Sequence, residues 1–358
     1  MKRILLLALV ALLLAGGAAA YFMRDTIAVN IFRTATQHGI GADLVAELPD
    51  GITAGFCGTG APLPDRTRAG PCTAIVAGGK LFIFDAGDGA TETLALMGLQ
   101  PARIEAVFLT HFHSDHIDGL GGLSVQRWAT SSARAPIPLY GGAGVERIAA
   151  GFNEAYAFDS EHRVAHHGAE VVPPTGGGYV AHPFAFAEGA DSAVVYEADG
   201  VRITAFTVDH GPVRPAFGYR VNYGGRSVVI SGDTKQSAVL TRVAHGADLL
   251  IHEALAPNLV GIMEEEARAR DMTGIAHIFH DIPDYHTSPE DTARVAAEAE
   301  VGALALTHIL PPLPISILEG PFLGQSRQIF DGDLWIMRDG DIITLPASGG
   351  ITRRHRLR

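Results

Sequence analysis

Residues 110–119 read Thr-His-Phe-His-Ser-Asp-His-Ile-Asp-Gly, and they constrain this chain more than any other stretch. They follow the apolar run 106–109, which has the residue types of a buried strand. In extended chain, residues two apart point to the same side, so His111 and His113 share a face while Phe112 turns toward the core. Asp115 and His116 come one turn later, at the start of a helix. Four potential ligands thus converge within residues 111–116. Imidazole and carboxylate together suit Zn2+ or a similar borderline ion. Three histidines and an aspartate at a strand-to-helix junction outweigh the alternative, a solvated histidine loop.

Short apolar runs at 52–57, 73–76 and 81–84, separated by glycine and proline turns, read as consecutive antiparallel strands. From there the pattern alternates: a helix at 90–97, a strand at 106–109, a helix at 117–128, a strand at 137–140 and a helix at 144–157, which is α/β organisation. Residues 158–189 are rich in glycine and proline with weak periodicity. Strands return at 193–196, 202–208, 217–221, 227–230 and 249–251. Ser288, Pro289 and Glu290 open a helix over 289–299, and 303–307 reads as the final core strand. There is no internal repeat and no linker within 51–345, so these residues form one domain.

Ahead of it, Lys2 and Arg3 precede an uncharged run over 4–23 that Arg24 and Asp25 end. That is the layout of an export signal, and the run also has the length of a membrane span. Small residues at 15–20 fit a cleavage site, whereas Tyr21, Phe22 and Met23 prolong the run as an uncleaved anchor does. Either outcome puts the body outside the cytosol, in the periplasm or tethered to a membrane, with residues 24–50 as a helical linker. Cys57 and Cys72 are the only cysteines. Their spacing leaves a disulfide and two buried thiols equally open. The formal net charge of -12 disfavours a large nucleic acid as partner, and a homodimer stays open. Arg353, Arg354, His355, Arg356 and Arg358 read as a frayed basic tail over 346–358.

The run at 111–119 resembles the signature of the metallo-β-lactamase-fold hydrolases, H-x-H-x-D-H-x-D-G, with His111, His113, Asp115, His116, Asp118 and Gly119 in place. The resemblance spans about residues 51–345 in the family's order, and it implies a four-layer αβ/βα sandwich, an α/β (α+β) fold. It also implies that Asp85 supports the metal loop from behind. By the same resemblance His111, His113 and His210 hold one zinc ion, Asp115, His116 and His308 hold a second, and Asp233 bridges the two.

Within that superfamily the chain is most similar to the RNase Z and arylsulfatase-like branch. The pieces that carry this are Phe56 to Gly60, Val208 to His210 with Phe217 to Arg220, Ser231 to Thr234, Ile251 to Ala254, and Tyr285 to Ser288. The branch implies that Glu253 orients His286, which assists proton transfer. Leu255 replaces the usual threonine of the first motif, and Thr287-Ser288 inverts the second. The long arm that RNase Z enzymes use to clamp tRNA is missing, because Arg220 joins Ser231 through a short hairpin at Gly224 and Gly225. These features point to a small anionic ester as substrate. A phosphodiester comes first, a sulfate ester second, and a lactone or β-lactam third. The contrasting class is a membrane-tethered zinc-binding scaffold without turnover. Arg66 and Arg68 either hold the anionic group or are solvated loop arginines. The stretch between Glu253 and His286 is expected to form a lid, with His277 and His280 as surface residues of it.

Overall fold

The computed structural model describes residues 2–357, which fall into two units divided between Asp43 and Leu44. The first is one helix, Lys2–Gly39, whose Lys2–Gln37 portion is long and apolar enough to cross a membrane. The linker expected over 24–50 is therefore split. Leu44 and Val45 belong to the second unit, where both are buried and the Leu44 amide donates to the Gly98 carbonyl.

The second unit contains two sheets. The first is built from β1 (Gly51–Gly58), β2 (Cys72–Ala77), β3 (Lys80–Phe84), β4 (Ile104–Phe108), β5 (Ile137–Gly141) and β6 (Tyr179–Pro183). The second comprises β7 (Ser192–Ala198), β8 (Val201–Thr207), β9 (Phe217–Tyr223), β10 (Arg226–Ile230), β11 (Leu249–Leu255), β12 (Ala303–Leu310) and β13 (Asp333–Ile336). The chain then returns to the first sheet with β14 (Asp341–Pro346) and β15 (Thr352–His355), giving the orders β15-β14-β1-β2-β3-β4-β5-β6 and β13-β12-β11-β10-β9-β8-β7.

Apolar residues from both sheets form one core between them, with Phe82, Phe84 and Phe108 meeting Ile203, Tyr219 and Ile251. The Phe108 ring stacks on Phe84 at 5.1 Å and on Tyr140 at 4.7 Å between centroids, within the range where aromatic contact adds to area burial. A second core lies between the first sheet and helices Ala90–Met97 and Val145–Ala155, and a third between the second sheet and helices Ala238–Ala244 and Pro289–Glu298. The result is four layers, helix, sheet, sheet, helix. Strands β1 and β11 are buried along their whole length, although β11 carries His252 and Glu253 within it.

Three sequence expectations need correction. The strand at 303–307 is not the last one. β13 and β14 follow, and Ile343 and Leu345 of β14 are buried in the central core against β1. Residues 352–355 of the basic tail form β15, because the buried Asp341 carboxylate draws them in, accepting from Arg353 Nη2 at 2.7 Å and lying 2.9 Å from His355 Nδ1, whereas Arg358 lies outside the described residues. The weakly periodic stretch 158–189 holds most of helix Ala157–His167 and all of β6. Cys57 and Cys72 are bonded across β1 and β2, at the bulge where Phe56 faces Thr73 and Gly58 faces Cys72. The cysteine alternative is thereby resolved in favour of the disulfide.

Candidate metal centre

Functional side chains in α/β folds collect beyond the carboxyl ends of parallel strands, and β10, β11 and β12 run parallel, as do β3 and β4. β4 delivers Thr110, His111 and His113, and helix Ser114–Ile117 then turns Asp115 and His116 back toward the strand end. Phe112 packs on the outer core of the first sheet, as the alternation requires. Asp85 follows β3 and lies in the left-handed region at φ 59°. Its carboxylate accepts from the Thr110 amide at 2.8 Å and the Thr110 hydroxyl at 2.7 Å, and it lies 2.8 Å from His116 Nδ1. Gly87 lets the two loops touch, since a Cβ there would sit 2.3 Å from the Asp115 carbonyl oxygen.

The second sheet supplies the remainder. His210 follows β8, and its Nδ1 lies 3.0 Å from the Tyr285 carbonyl. Asp233 follows β10. His308 is the extra residue of a bulge in β12, where Thr307 faces Glu253 and Ile309 faces Ala254, and it adopts φ 47°. Bulges re-aim side chains in this way. The His308 ring consequently leaves the ladder and stacks with His116, at 5.3 Å between centroids.

Asp233 Oδ2 sits in the middle. It lies 3.3 Å from Nε2 of both His116 and His308, and 3.9 Å from Nε2 of both His111 and His210. Asp115 Oδ2 lies 3.5 Å from His116 Nε2 and 3.4 Å from His308 Nε2. His113 lies at the exposed edge, with Nδ1 2.9 Å from His111 Nε2. Among these atoms, Asp115 Oδ2 and the Nε2 atoms of His116, His210 and His308 are buried without a hydrogen-bond partner. Each such group costs about 1–3 kcal/mol when left alone. Four converging on one place fit a cation.

The outer contacts agree. Tyr285 O can only accept, and the Asp85 carboxylate accepts, so His210 and His116 donate from Nδ1 and turn the Nε2 lone pair inward. Burial pushes His111 well below its ordinary range, with His116 adding to the effect, and burial lowers His210 and His113 in the same direction. Neutral imidazole is the ligating form. Burial also opposes charge on His116 and Asp233, but there the opposite charges prevail. Asp233, Asp85 and Asp115 hold His116 well above its ordinary range, favouring a proton on Nε2 that a bound cation would displace, while His308, His116 and His111 hold Asp233 well below the usual carboxylate range.

Beside this cluster, His286 Nδ1 makes an ion-pair contact of 3.2 Å with Glu253 Oε1. Burial disfavours the His286 cation, yet Glu253 raises its pKa above the ordinary value. The same Glu253 oxygen accepts from the Thr287 amide at 2.8 Å, so one buried carboxylate fixes both the histidine and the backbone beyond it. The His286 ring lies 5.1 Å from His210 and 5.6 Å from His308, centroid to centroid.

Residues 81–309 match the Beta-lactamase superfamily domain. Ribonuclease Z of Mycobacterium avium is 37% identical over 258 residues, which cover 72% of this chain and 85% of that protein. The chain belongs to the metallo-β-lactamase superfamily, in its RNase Z branch. Human tRNase Z, short form, superposes with a TM-score of 0.56 at 24% identity, covering 82% of this chain and 99% of that one. The metallo-beta-lactamase fold protein YhfI from Bacillus subtilis superposes at 0.55 with 19% identity, over 82% and 99%. These two likenesses are of fold.

Against the superfamily pattern, the structure gathers His111, His113, Asp115, His116, His210, Asp233 and His308 into one cluster, with Asp85, Glu253 and His286 around it. It does not add Arg68. That side chain turns inward, donating from Nη1 to the Thr59 hydroxyl at 2.5 Å and to the Met337 carbonyl at 2.6 Å, because Asp339, 271 positions away, holds the same loop through Thr59 and Ala69. Arg66 is exposed on the loop. His277 and His280 are exposed on helix Thr273–Asp281, near Asp281 and Glu264 respectively. Two contributors escaped the sequence reading. Thr110 stands within the signature run and is betrayed only by its hydroxyl, whereas Tyr285 acts through its backbone and leaves no residue-type signal.

Proposed function

We propose that this superfamily hydrolase is a two-zinc phosphodiesterase acting on small anionic esters outside the cytosol. The carrying observation is the set of four inward-aimed, unpartnered atoms on Asp115, His116, His210 and His308, flanked by the Glu253–His286 pair. His111, His113 and His210 would hold one ion and Asp115, His116 and His308 the other, with Asp233 within reach of both groups. Zinc bound there would supply Lewis acidity toward an ester oxygen and acidify water at neutral pH. Asp85 and the Tyr285 carbonyl keep His116 and His210 in the ligating tautomer. Glu253 keeps a proton on His286, which delivers it to the leaving oxygen.

Two observations favour a small substrate over tRNA. The β9–β10 connection is the two-residue turn Gly224-Gly225, and the chain's charge is -12. The apolar helix Lys2–Gly39 acts as signal or anchor, and with the Cys57–Cys72 bond it supports a body in an oxidising compartment.

Metal analysis of the purified chain, with turnover of nitrophenyl phosphodiester, sulfate-ester, lactone and β-lactam substrates, tests this reading. About two zinc ions per chain and diester turnover abolished by chelation are expected. Turnover of the sulfate ester with an inert diester would overturn the phosphodiester assignment. His286→Ala should slow an alkyl diester by roughly 10²- to 10⁴-fold while sparing a nitrophenyl diester, whose leaving group needs no proton. Equal loss on both would remove the proton-donor role.

A further inference from the structure

After β11 the chain forms a hairpin of helices Pro257–Ala269 and Thr273–Asp281. Val260, Ala267, Ala276 and Phe279 make its buried seam, closed by Leu255 and Leu310 from the strand ends. Five side chains packed on that seam stay half-buried: Ala61, Leu63, Met263, Ile275 and Tyr285. Two of them come from the loop between β1 and β2 and two from the hairpin, so distant segments pack on one apolar cluster. Both arginines of the hairpin are paired within it, Arg268 with Glu264 and Arg270 with Glu266.

Isolated half-buried apolar residues are ordinary. This group differs because Tyr285 joins it to the metal-candidate cluster. The Tyr285 ring lies 5.4 Å from His210 and 5.2 Å from His286, between centroids, while its carbonyl orients His210. Tyr285 thus touches both the apolar cluster and the histidine assigned to protonate the leaving oxygen.

We propose that the leaving alcohol of the substrate is apolar and lies against this cluster, so that the substrate class is a phosphodiester of an alkyl, lipid-like alcohol. The proposal rests on the phosphodiesterase reading. Specificity follows from opposite demands at the two ends of one molecule. The anionic phosphorus centre is drawn to the histidine and aspartate cluster when its cations are bound. The alcohol chain displaces water from Leu63, Ile275 and Met263.

The test is a series of methyl alkyl phosphates with alkyl groups from methyl to octyl, using the full chain in phosphatidylcholine nanodiscs and measuring the released alkanol. kcat/KM should rise by about two- to fourfold per methylene, from the transfer free energy of a buried or part-buried CH2, with the gain carried mainly by KM. Leu63→Ser and Ile275→Ser should each reduce that slope. Release of diacylglycerol from phosphatidylglycerol in vesicles would assign the alcohol to a bilayer lipid, release of glycerol would overturn the apolar leaving group, and cleavage of the monomeric series alone would assign the alcohol to a dissolved amphiphile. A flat series with every member cleaved overturns the apolar site and leaves the diesterase reading standing. Failure to cleave any member, in a chain that holds zinc and turns over a sulfate ester, overturns both.

Discussion

Asp85→Asn changes one oxygen for an amide nitrogen in a residue that makes three contacts of 2.7–2.8 Å, and it should weaken metal binding while leaving the fold in place. Oδ1 remains an oxygen and keeps its bond from the Thr110 amide. At the Oδ2 position, the new NH2 can donate to the Thr110 hydroxyl, which turns to accept. His116 Nδ1 must then accept as well, so its proton moves to Nε2, the atom that faces Asp233 at 3.3 Å. The imidazole loses its inward lone pair. Loss of an outer-shell partner of this kind lowers metal affinity by roughly 10- to 100-fold, which is about 1.4–2.7 kcal/mol. Competition against a chromophoric chelator, starting from metal-free protein, reads that difference directly. Circular dichroism and thermal melting of the metal-free form check that the variant is folded. A folded Asp85→Asn protein that binds zinc within twofold of the parent would refute the tautomer argument, and with it the role assigned to Asp85.

The disulfide closes a separation of 15 residues, so the double variant Cys57→Ala, Cys72→Ala should lose about 3 kcal/mol, read as a melting temperature lower by about 5–10 °C; an unchanged melt would show that the bond adds nothing. Gly87→Ala places a Cβ 2.3 Å from the Asp115 carbonyl oxygen and 2.4 Å from the Gly70 carbonyl carbon, both backbone atoms that cannot swing aside, so zinc content and melting temperature should fall together, and full zinc content in the variant contradicts the close approach. Asp339→Ala strips the buried Thr59 and Ala69 amides of their acceptor beside a part-buried Arg68, a change expected to cost about 2–5 kcal/mol in denaturant unfolding; a loss under 1 kcal/mol would place Arg68 in solvent after all.

What the sequence made legible was what its local period carries. The strand-to-helix junction at residues 110–119 needs only alternation and ligand chemistry to be read, and the strands assigned at 52–57 through 249–251 each fall on an observed strand because their apolar runs are short and punctuated by glycine and proline. His210, Asp233 and His308 were reachable only as an ordered set, since each stands alone in its own turn. Nothing local shows that His308 is the bulged residue of β12. The misreadings share one cause, a long-range partner. Arg68, in a loop rich in glycine and proline, reads as an anion-binding or solvated arginine until Asp339 is brought beside the same loop, and the basic end looks like a tail until Asp341 fixes Arg353 and His355. The surface around Leu63 and Tyr285 was hidden for the same reason, because it combines a β1–β2 loop with a helical hairpin about 200 residues later.

The Gly224-Gly225 turn has both residues at positive φ, 57° and 77°, and an added Cβ at Gly225 would meet no atom within 4 Å. It therefore behaves as a socket. Closing a longer loop there adds only about 0.6 kcal/mol for each doubling of its length, and neither sheet need rearrange to admit it. β10 leads from that socket straight to Asp233, so a recognition module grafted at the turn would hang from the strand that carries a central carboxylate. If the proposed function holds, a module added at this exposed turn would change which substrates reach the site while leaving Asp233 at the other end of the strand in place.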